Sequence, residues 1–327
     1  MNWESRLHEQ YQVKIDTSTW NNNESLAGTD LAGANRRYAT WATIFSRQPG
    51  GLPKEQLLPR IDIAYRDQLP ASMELAEGRF PERQTEALAL SKMHWGYYYN
   101  LGGGLSTVDL TPAFRPRIRA QTLLRMQMIN DVIEAIIGPD KAGTTLLDFA
   151  CNWGGFAIDM ALRGVKHVTA FDFKPDNIDK AKRLADYMGA ANAHFDVQNV
   201  YDLPVQYRDG FDIVYNLGLF YHVTEPVRLA KITYELTRKV AVFDTIAHKE
   251  PFSGFILAHL SEQDFARPGM GELRLEMHPT YRAMIDLILF AGFKNLIEIA
   301  AVPGDEYPEA GKELYFQGLR RTIIAFR

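Results

Sequence analysis

The chain has 327 residues, of which 46% are hydrophobic and 23% charged, with a formal net charge of -4. This composition excludes a disordered, collagenous or disulfide-scaffold protein. The length corresponds to about two average domains, and the balanced charge provides no basic field for nucleic acid. The one cysteine, Cys151, can form no intramolecular disulfide, which suits a reducing compartment and an expected cytoplasmic location. No apolar run approaches the ~20 residues of a membrane span. The opening residues carry acids and no apolar segment, so no secretion signal is expected there.

In chain order, residues 31–46, 81–92 and 114–137 have helical patterning, with Pro116 near the start of the third, where proline is tolerated. Asn21 to Asn23 and Gly50-Gly51 mark loops. Residues 1–140 are expected to form a helical cap or lid, and 141–327 a ligand-binding catalytic domain. From residue 144, apolar runs at 145–149, 168–172, 193–196, 211–215 and 240–244 alternate with helical stretches such as 175–188 and 226–238. That alternation predicts βαβ units around a parallel sheet. A helix at 280–290 and strands at 295–301 and 321–326 follow, the two strands closing the sheet as an antiparallel pair. Residues 313–318 look like part of a protease-tag remnant, but the apolar strand after them needs a fold to sit in.

The strongest local signal is the strand 146–149 running through Ala150-Cys151-Asn152-Trp153-Gly154-Gly155 into a helix. A turn of small residues lets backbone approach a ligand closely. Asp172 ends the next strand about twenty residues on, where an acid meets the ribose hydroxyls of an adenosine ligand. Asp196 ends the third strand and Asn216 the fourth. All four points fall on the carboxyl edge of one sheet, where open α/β sheets bind ligands. The loop lacks the G-x-G-x-x-G of dinucleotide dehydrogenases, and no Gly-Lys-Ser/Thr of a P-loop follows it.

At these residues the chain resembles the class I S-adenosylmethionine (SAM)-dependent methyltransferases, over roughly residues 112–327. Their loop usually reads D-x-G-x-G-x-G; here it is Asp148-Phe149-Ala150-Cys151-Asn152-Trp153-Gly154, with two glycines replaced. Tyr215-Asn216-Leu217-Gly218-Leu219-Phe220-Tyr221-His222-Val223 followed by Glu225-Pro226 matches the family's segment after the fourth strand. It is especially similar to tRNA wobble-uridine carboxymethyltransferases and their small-molecule relatives. His94 to Gly104 looks like the aromatic segment preceding the core in those relatives. The resemblance implies an α/β fold, a Rossmann-like seven-stranded sheet with an N-terminal helical cap, and SAM as cosubstrate or substrate.

For such a ligand, Asp172 is the expected ribose partner, and Asp196 with the backbone of Val197 the adenine partner. Asp148 orders the loop that includes Ala150 and Gly154. Asn152 and Asn216 offer side-chain amides, donors and acceptor together, to the amino-acid head group. Phe173 and Leu217 complete the expected cofactor-binding set. Tyr98, Tyr221 and His222 are the catalytic candidates, His222 because its reference pKa lies near neutrality; a structural histidine is the other reading. Trp95, Tyr97 and Tyr99 are expected to form an aromatic lid or a cage for the cationic sulfonium, with Gly102 to Gly104 as its hinge. Core packing is the alternative for these aromatics. The histidines show no metal-ligand spacing, so no metal is expected.

The sulfonium activates three carbons. The favoured expectation is in-line methyl transfer to a small molecule, which relies mostly on positioning. The alternatives are attack of SAM's own amine to give azetidine-2-carboxylate and methylthioadenosine, tRNA wobble modification, and a non-catalytic SAM-binding module. Oligomeric state is left open, with a homodimer as one option.

Overall fold

The computed structural model describes residues 2–11, 58–203, 207–259, 275–304 and 307–327. The predicted helix at 31–46 and the loops at 21–23 and 50–51 lie outside these residues. Four largely buried apolar runs form β4 (Thr145–Phe149), β5 (His167–Asp172), β7 (Phe211–Leu217) and β8 (Thr237–Ile246), and β6 (Ala193–Val197), with only Phe195 buried, lies at the sheet edge. Between them run α6 (Gly155–Leu162), α7 (Pro175–Met188) and α8 (Pro226–Leu236). α7 starts with Pro175 in its first turn and stops at the left-handed Gly189, the usual asymmetry of helix ends. The pattern predicted α8 to run to residue 238, but Thr237 is already extended and begins β8.

The chain closes with α9 (Tyr281–Ala291), β11 (Asn295–Val302) and β12 (Arg320–Phe326). A small hairpin, β9 (Phe255–His259) with β10 (Leu275–Pro279), stands beside the sheet. With β1 (Arg60–Ala64) at one edge, the main sheet has eight strands in the order β1-β11-β12-β8-β7-β4-β5-β6. β12 pairs antiparallel with both neighbours and the other pairings are parallel.

The eighth strand is a departure from the seven expected. β1 (Arg60–Ala64) comes from the N-terminal region and pairs with β11. It alternates exposed and buried residues, with Ile61 and Ile63 inward, the half-buried pattern of an edge strand. The rest of that region holds α1 (Trp3–Tyr11), α2 (Ala71–Arg79), α3 (Gln84–Ser91) and the hairpin β2 (Asn100–Gly102) with β3 (Leu105–Ser106). The predicted helix at 114–137 is α4 (Arg115–Met126), a π turn (Gln127–Asp131) and α5 (Val132–Ile137). Its Leu123, Leu124, Met126, Ile129 and Ile133 pack in one core with Leu146, Ile213 and Tyr215 of the sheet. Residues 313–318 belong to the fold: Glu313 and Tyr315 are buried.

Candidate active site

A cavity of about 210 Å³ opens at the carboxyl ends of β4, β5 and β7. The turn after β4 builds one wall. Ala150 and Asn152 have φ of 48° and 52°, the left-handed region that glycine occupies freely and other residues enter at ~1–2 kcal/mol. The turn therefore keeps a glycine-type path at the two positions where glycine is replaced. Gly154 follows at φ 76° and does not line the cavity; a Cβ there would meet the Phe195 ring at 2.5 Å. Gly155 does line it, and a Cβ there would lie 1.6 Å from the Tyr99 hydroxyl.

Asp172 ties this turn to β5. Its Oδ2 accepts from Asn152 N at 3.0 Å, and its Oδ1 from Lys174 N at 2.9 Å and Asn177 Nδ2 at 3.1 Å. Burial raises its carboxyl above the usual range, and those donors offset part of the rise. Asp148 is 2% exposed and also lines the cavity. Burial pushes its carboxyl up to about 8, Arg125 pulling down and Asp172 pushing further up. Oδ1 of Asn152 is buried with no hydrogen-bond partner among the described residues, which costs free energy unless a ligand supplies a donor.

The opposite wall is cationic and aromatic. Arg125 of α4 and Arg320 of β12 converge on Asp244 of β8. Arg125 Nη2 and Arg320 Nε donate to its Oδ1 at 3.1 and 2.8 Å, while Tyr315 OH and Thr322 Oγ1 donate to Oδ2 at 2.5 and 2.8 Å. Burial opposes ionisation of Asp244, but Arg320 and Arg125 overcome it and hold the carboxyl at about 2. Two guanidinium groups thus share one carboxylate, leaving positive charge at this end of the cavity. Arg125 Nη1 also donates to Tyr97 OH at 3.0 Å. None of Arg125, Arg320, Asp244 and Tyr315 was legible as a site residue. The available signal was Arg125 itself, an arginine set among Leu123, Leu124 and Met126 on the apolar face of a helix.

Of the sequence candidates, the structure brings Tyr97, Tyr99, Asp148, Ala150, Asn152, Asp172, Phe173, Leu217, Tyr221 and His222 to the cavity. It places the others elsewhere. Asn216 alternates with Tyr215 and Leu217 along β7 and faces α8, where its Nδ2 donates to Thr233 Oγ1 at 3.1 Å. Strand alternation sends neighbours to opposite faces, so its amide is on the wrong side for a head group at this cavity. Tyr98 points away from its neighbours Tyr97 and Tyr99, with Arg119 5.5 Å from its ring. Trp95 packs edge-on against Trp153, and its Nε1 donates to Leu90 O at 2.9 Å. Asp196 and Val197 border a separate depression with Thr169, Phe171, Gln198 and Tyr207. Gly102 to Gly104 form the turn of the β2–β3 hairpin, with Gly102 and Gly103 packed on Phe80.

Among the described residues, no group of three or more His, Cys, Asp or Glu is placed to hold a metal ion. No helix among them is long and apolar enough to cross a membrane.

Comparison with known proteins bears on this cavity. Residues 140–268 match a family model described as a methyltransferase domain. A ubiquinone biosynthesis O-methyltransferase of Neisseria meningitidis serogroup A is 27% identical over 115 residues, 35% of this chain and 48% of that protein. Ajmaline N-methyltransferase of Rauvolfia serpentina is 24% identical over 163 residues, 49% of this chain and 52% of that protein. The chain thus spans about half the length of the curated relatives it matches. The N-terminal domain of EvdMO1, crystallised in the presence of SAH and D-fucose, shares the fold. Its TM-score is 0.50 at 16% identity, covering 75% of this chain and 95% of that one. The matched residues 140–268 hold the turn after β4, Asp172 and His222, so the methyltransferase-domain match falls on the part of the chain that builds most of this cavity.

Proposed function

We propose that the protein transfers a methyl group from SAM to a small-molecule acceptor in this cavity. The observation that carries the reading is the wall formed by the Asp148–Asn152 turn and Asp172, with the buried Oδ1 of Asn152, which has no partner among the described residues, in it. The residues present fit the cosubstrate's chemistry. Asp172 has acceptor capacity beyond its three internal bonds for a ribose hydroxyl, since a carboxylate offers about four lone-pair sites. Oδ1 of Asn152 suits the ammonium of the methionine end. Arg125 and Arg320 suit its carboxylate, and the tyrosine faces of the wall suit a sulfonium. Asp196 and Val197 remain our expectation for the adenine, at the neighbouring strand end.

Catalysis in this reading is positioning and exclusion of water. Tyr97 and Tyr99 come from the segment before the core and Tyr221 from the turn after β7, so cap and core together enclose the reacting groups. We regard 1–140 as the cap and 141–327 as the catalytic domain. The small-molecule acceptor is favoured because the relatives named above are small-molecule methyltransferases by name, and because the charge balance of -4 offers RNA no electrostatic attraction.

Mass spectrometry of the purified protein with SAM tests the proposal. S-adenosylhomocysteine formed only with an added acceptor pool supports transfer. Methylthioadenosine formed without acceptor establishes self-reaction instead, and SAM retained unchanged under both conditions indicates a binding module. Salt-sensitive tRNA binding with modification of the wobble base would replace the small-molecule acceptor.

A further inference from the structure

Behind His222 stands a row of polar side chains contributed by three elements. His222 lines the cavity on the turn that follows β7. Its Nδ1 lies 3.0 Å from Oε1 of Glu276 on β10. Oε2 of Glu276 is 2.7 Å from Nε2 of His278, two residues along the same strand and therefore on the same face. Nδ1 of His278 is 3.3 Å from Nε2 of His248, just after β8. Glu276 is buried, and among the described residues its Oε1 has no aligned hydrogen-bond donor. His222 Nδ1 is close enough to become that donor with a small rotation of the ring. The Tyr221 ring packs on both His222 and His278.

Hydrogen-bond arithmetic then assigns the protons. A carboxylate only accepts, so His278 presents Nε2–H to Oε2 and His222 presents Nδ1–H to Oε1. A neutral His278 has a bare Nδ1, which accepts Nε2–H of His248. With all three imidazoles in their neutral forms, each contact has one donor and the nitrogen of His222 left bare is Nε2. Burial opposes ionisation of Glu276, but the neighbouring imidazoles of His222 and His278 hold its carboxyl at about 2. It therefore stays an acceptor throughout the neutral range.

We propose that His222, held by Glu276 with His278 and His248 behind it, is a general base, and that the acceptor is a protic nucleophile, a hydroxyl or an amine. This rests on the methyl-transfer reading. As the acceptor's oxygen or nitrogen bonds to the methyl carbon, the methyl carbon–sulfur bond breaks and its electron pair stays on sulfur. The acceptor's proton passes to Nε2 of His222, and the imidazolium so formed faces the Glu276 carboxylate. Glu276 is a positioning residue: it fixes tautomer and ring orientation and does not take the proton, as in other carboxylate–histidine pairs. An acceptor with no proton to lose would have no use for this arrangement.

The tautomer can be read without any ligand, by long-range proton–nitrogen NMR of the full chain with labelled histidine, using His222→Asn to assign the signals. The expected result is His222 as the Nδ1–H form, lost in Glu276→Ala and retained in Glu276→Gln, whose amide oxygen can still accept. An Nε2–H form in the wild-type protein overturns the proposal, whether or not either variant folds. A second reading uses diethyl pyrocarbonate, which attacks a bare imidazole nitrogen: His222 should be modified, and protected by S-adenosylhomocysteine. An unmodified His222, or one modified equally with the ligand bound, also overturns it. Failure of S-adenosylhomocysteine to bind at all would count against the methyl-transfer reading and leave the tautomer result standing.

Discussion

Replacing Asp148 with Asn should change the pH dependence of stability in a defined direction. The residue is 2% exposed, and its carboxyl is pushed up from 3.8 to about 8 by burial. Between those values the folded protein holds a proton that the unfolded chain has released. The native state then binds more protons, so stability falls as pH rises through this window and is flat above about 8. One proton gives a slope of about 1.4 kcal/mol per pH unit. Across the window the loss reaches on the order of 5 kcal/mol, an upper bound because relaxation and water soften burial in real proteins. Asparagine has the same shape and no charge at any pH. Urea unfolding of both proteins at pH 5, 6, 7 and 8 should show the variant gaining on the parent with each step. A stability difference independent of pH would refute the reasoning. The same proton should appear in binding. SAM and S-adenosylhomocysteine share their amino-acid groups and differ in the sulfonium charge, which favours an ionised Asp148. The ratio of their affinities should climb with pH up to about 8 in the parent and stay level in Asp148→Asn.

Three further substitutions probe the walls, and a fourth, at Tyr98, is their control. Asn152→Gly should relieve left-handed strain and leave stability within about 1 kcal/mol, yet weaken SAM about tenfold, the worth of one hydrogen bond; calorimetry showing unchanged affinity would reduce Asn152 to a loop residue. Gly155→Ala should abolish SAM binding without unfolding the protein, because its new methyl group meets Tyr99, and circular dichroism with calorimetry would check both halves. Tyr97→Phe, which removes one of the hydrogen-bond partners of Arg125, should cut turnover with little change in melting temperature. Tyr98→Phe, facing away from the cavity, should leave turnover intact, and equal losses in the two variants would contradict the assigned directions.

The central strands β4, β5, β7 and β8 were legible because they are largely buried on both faces and therefore appear as apolar runs between amphipathic helices. Asp148 and Asp172 were legible by position, each sitting at or beside a strand end. What the sequence did not disclose depends on direction and distance. Asn216 and Leu217 are adjacent, yet only Leu217 reaches the cavity, since the phase of a fully buried strand leaves no trace in its polarity. Tyr98 was misplaced for a related reason, as an unbroken aromatic run gives no clue to which ring turns inward. β1 is five residues of mixed polarity far from the strand it pairs with, so its long-range partner was invisible locally. Glu276 lies more than fifty residues from His222, and only the fold brings them together.

We propose the cavity between the Asp148–Asn152 turn and Arg320 as the SAM site. Isothermal titration of S-adenosylhomocysteine into the full chain, with Asp172→Ala in parallel, tests it most directly. The parent should show saturable one-to-one binding and the variant a loss of at least about tenfold, from removal of a charged acceptor at ~1.5–3 kcal/mol per hydrogen bond. No binding by the parent, or equal affinity in a folded Asp172→Ala protein, would contradict it.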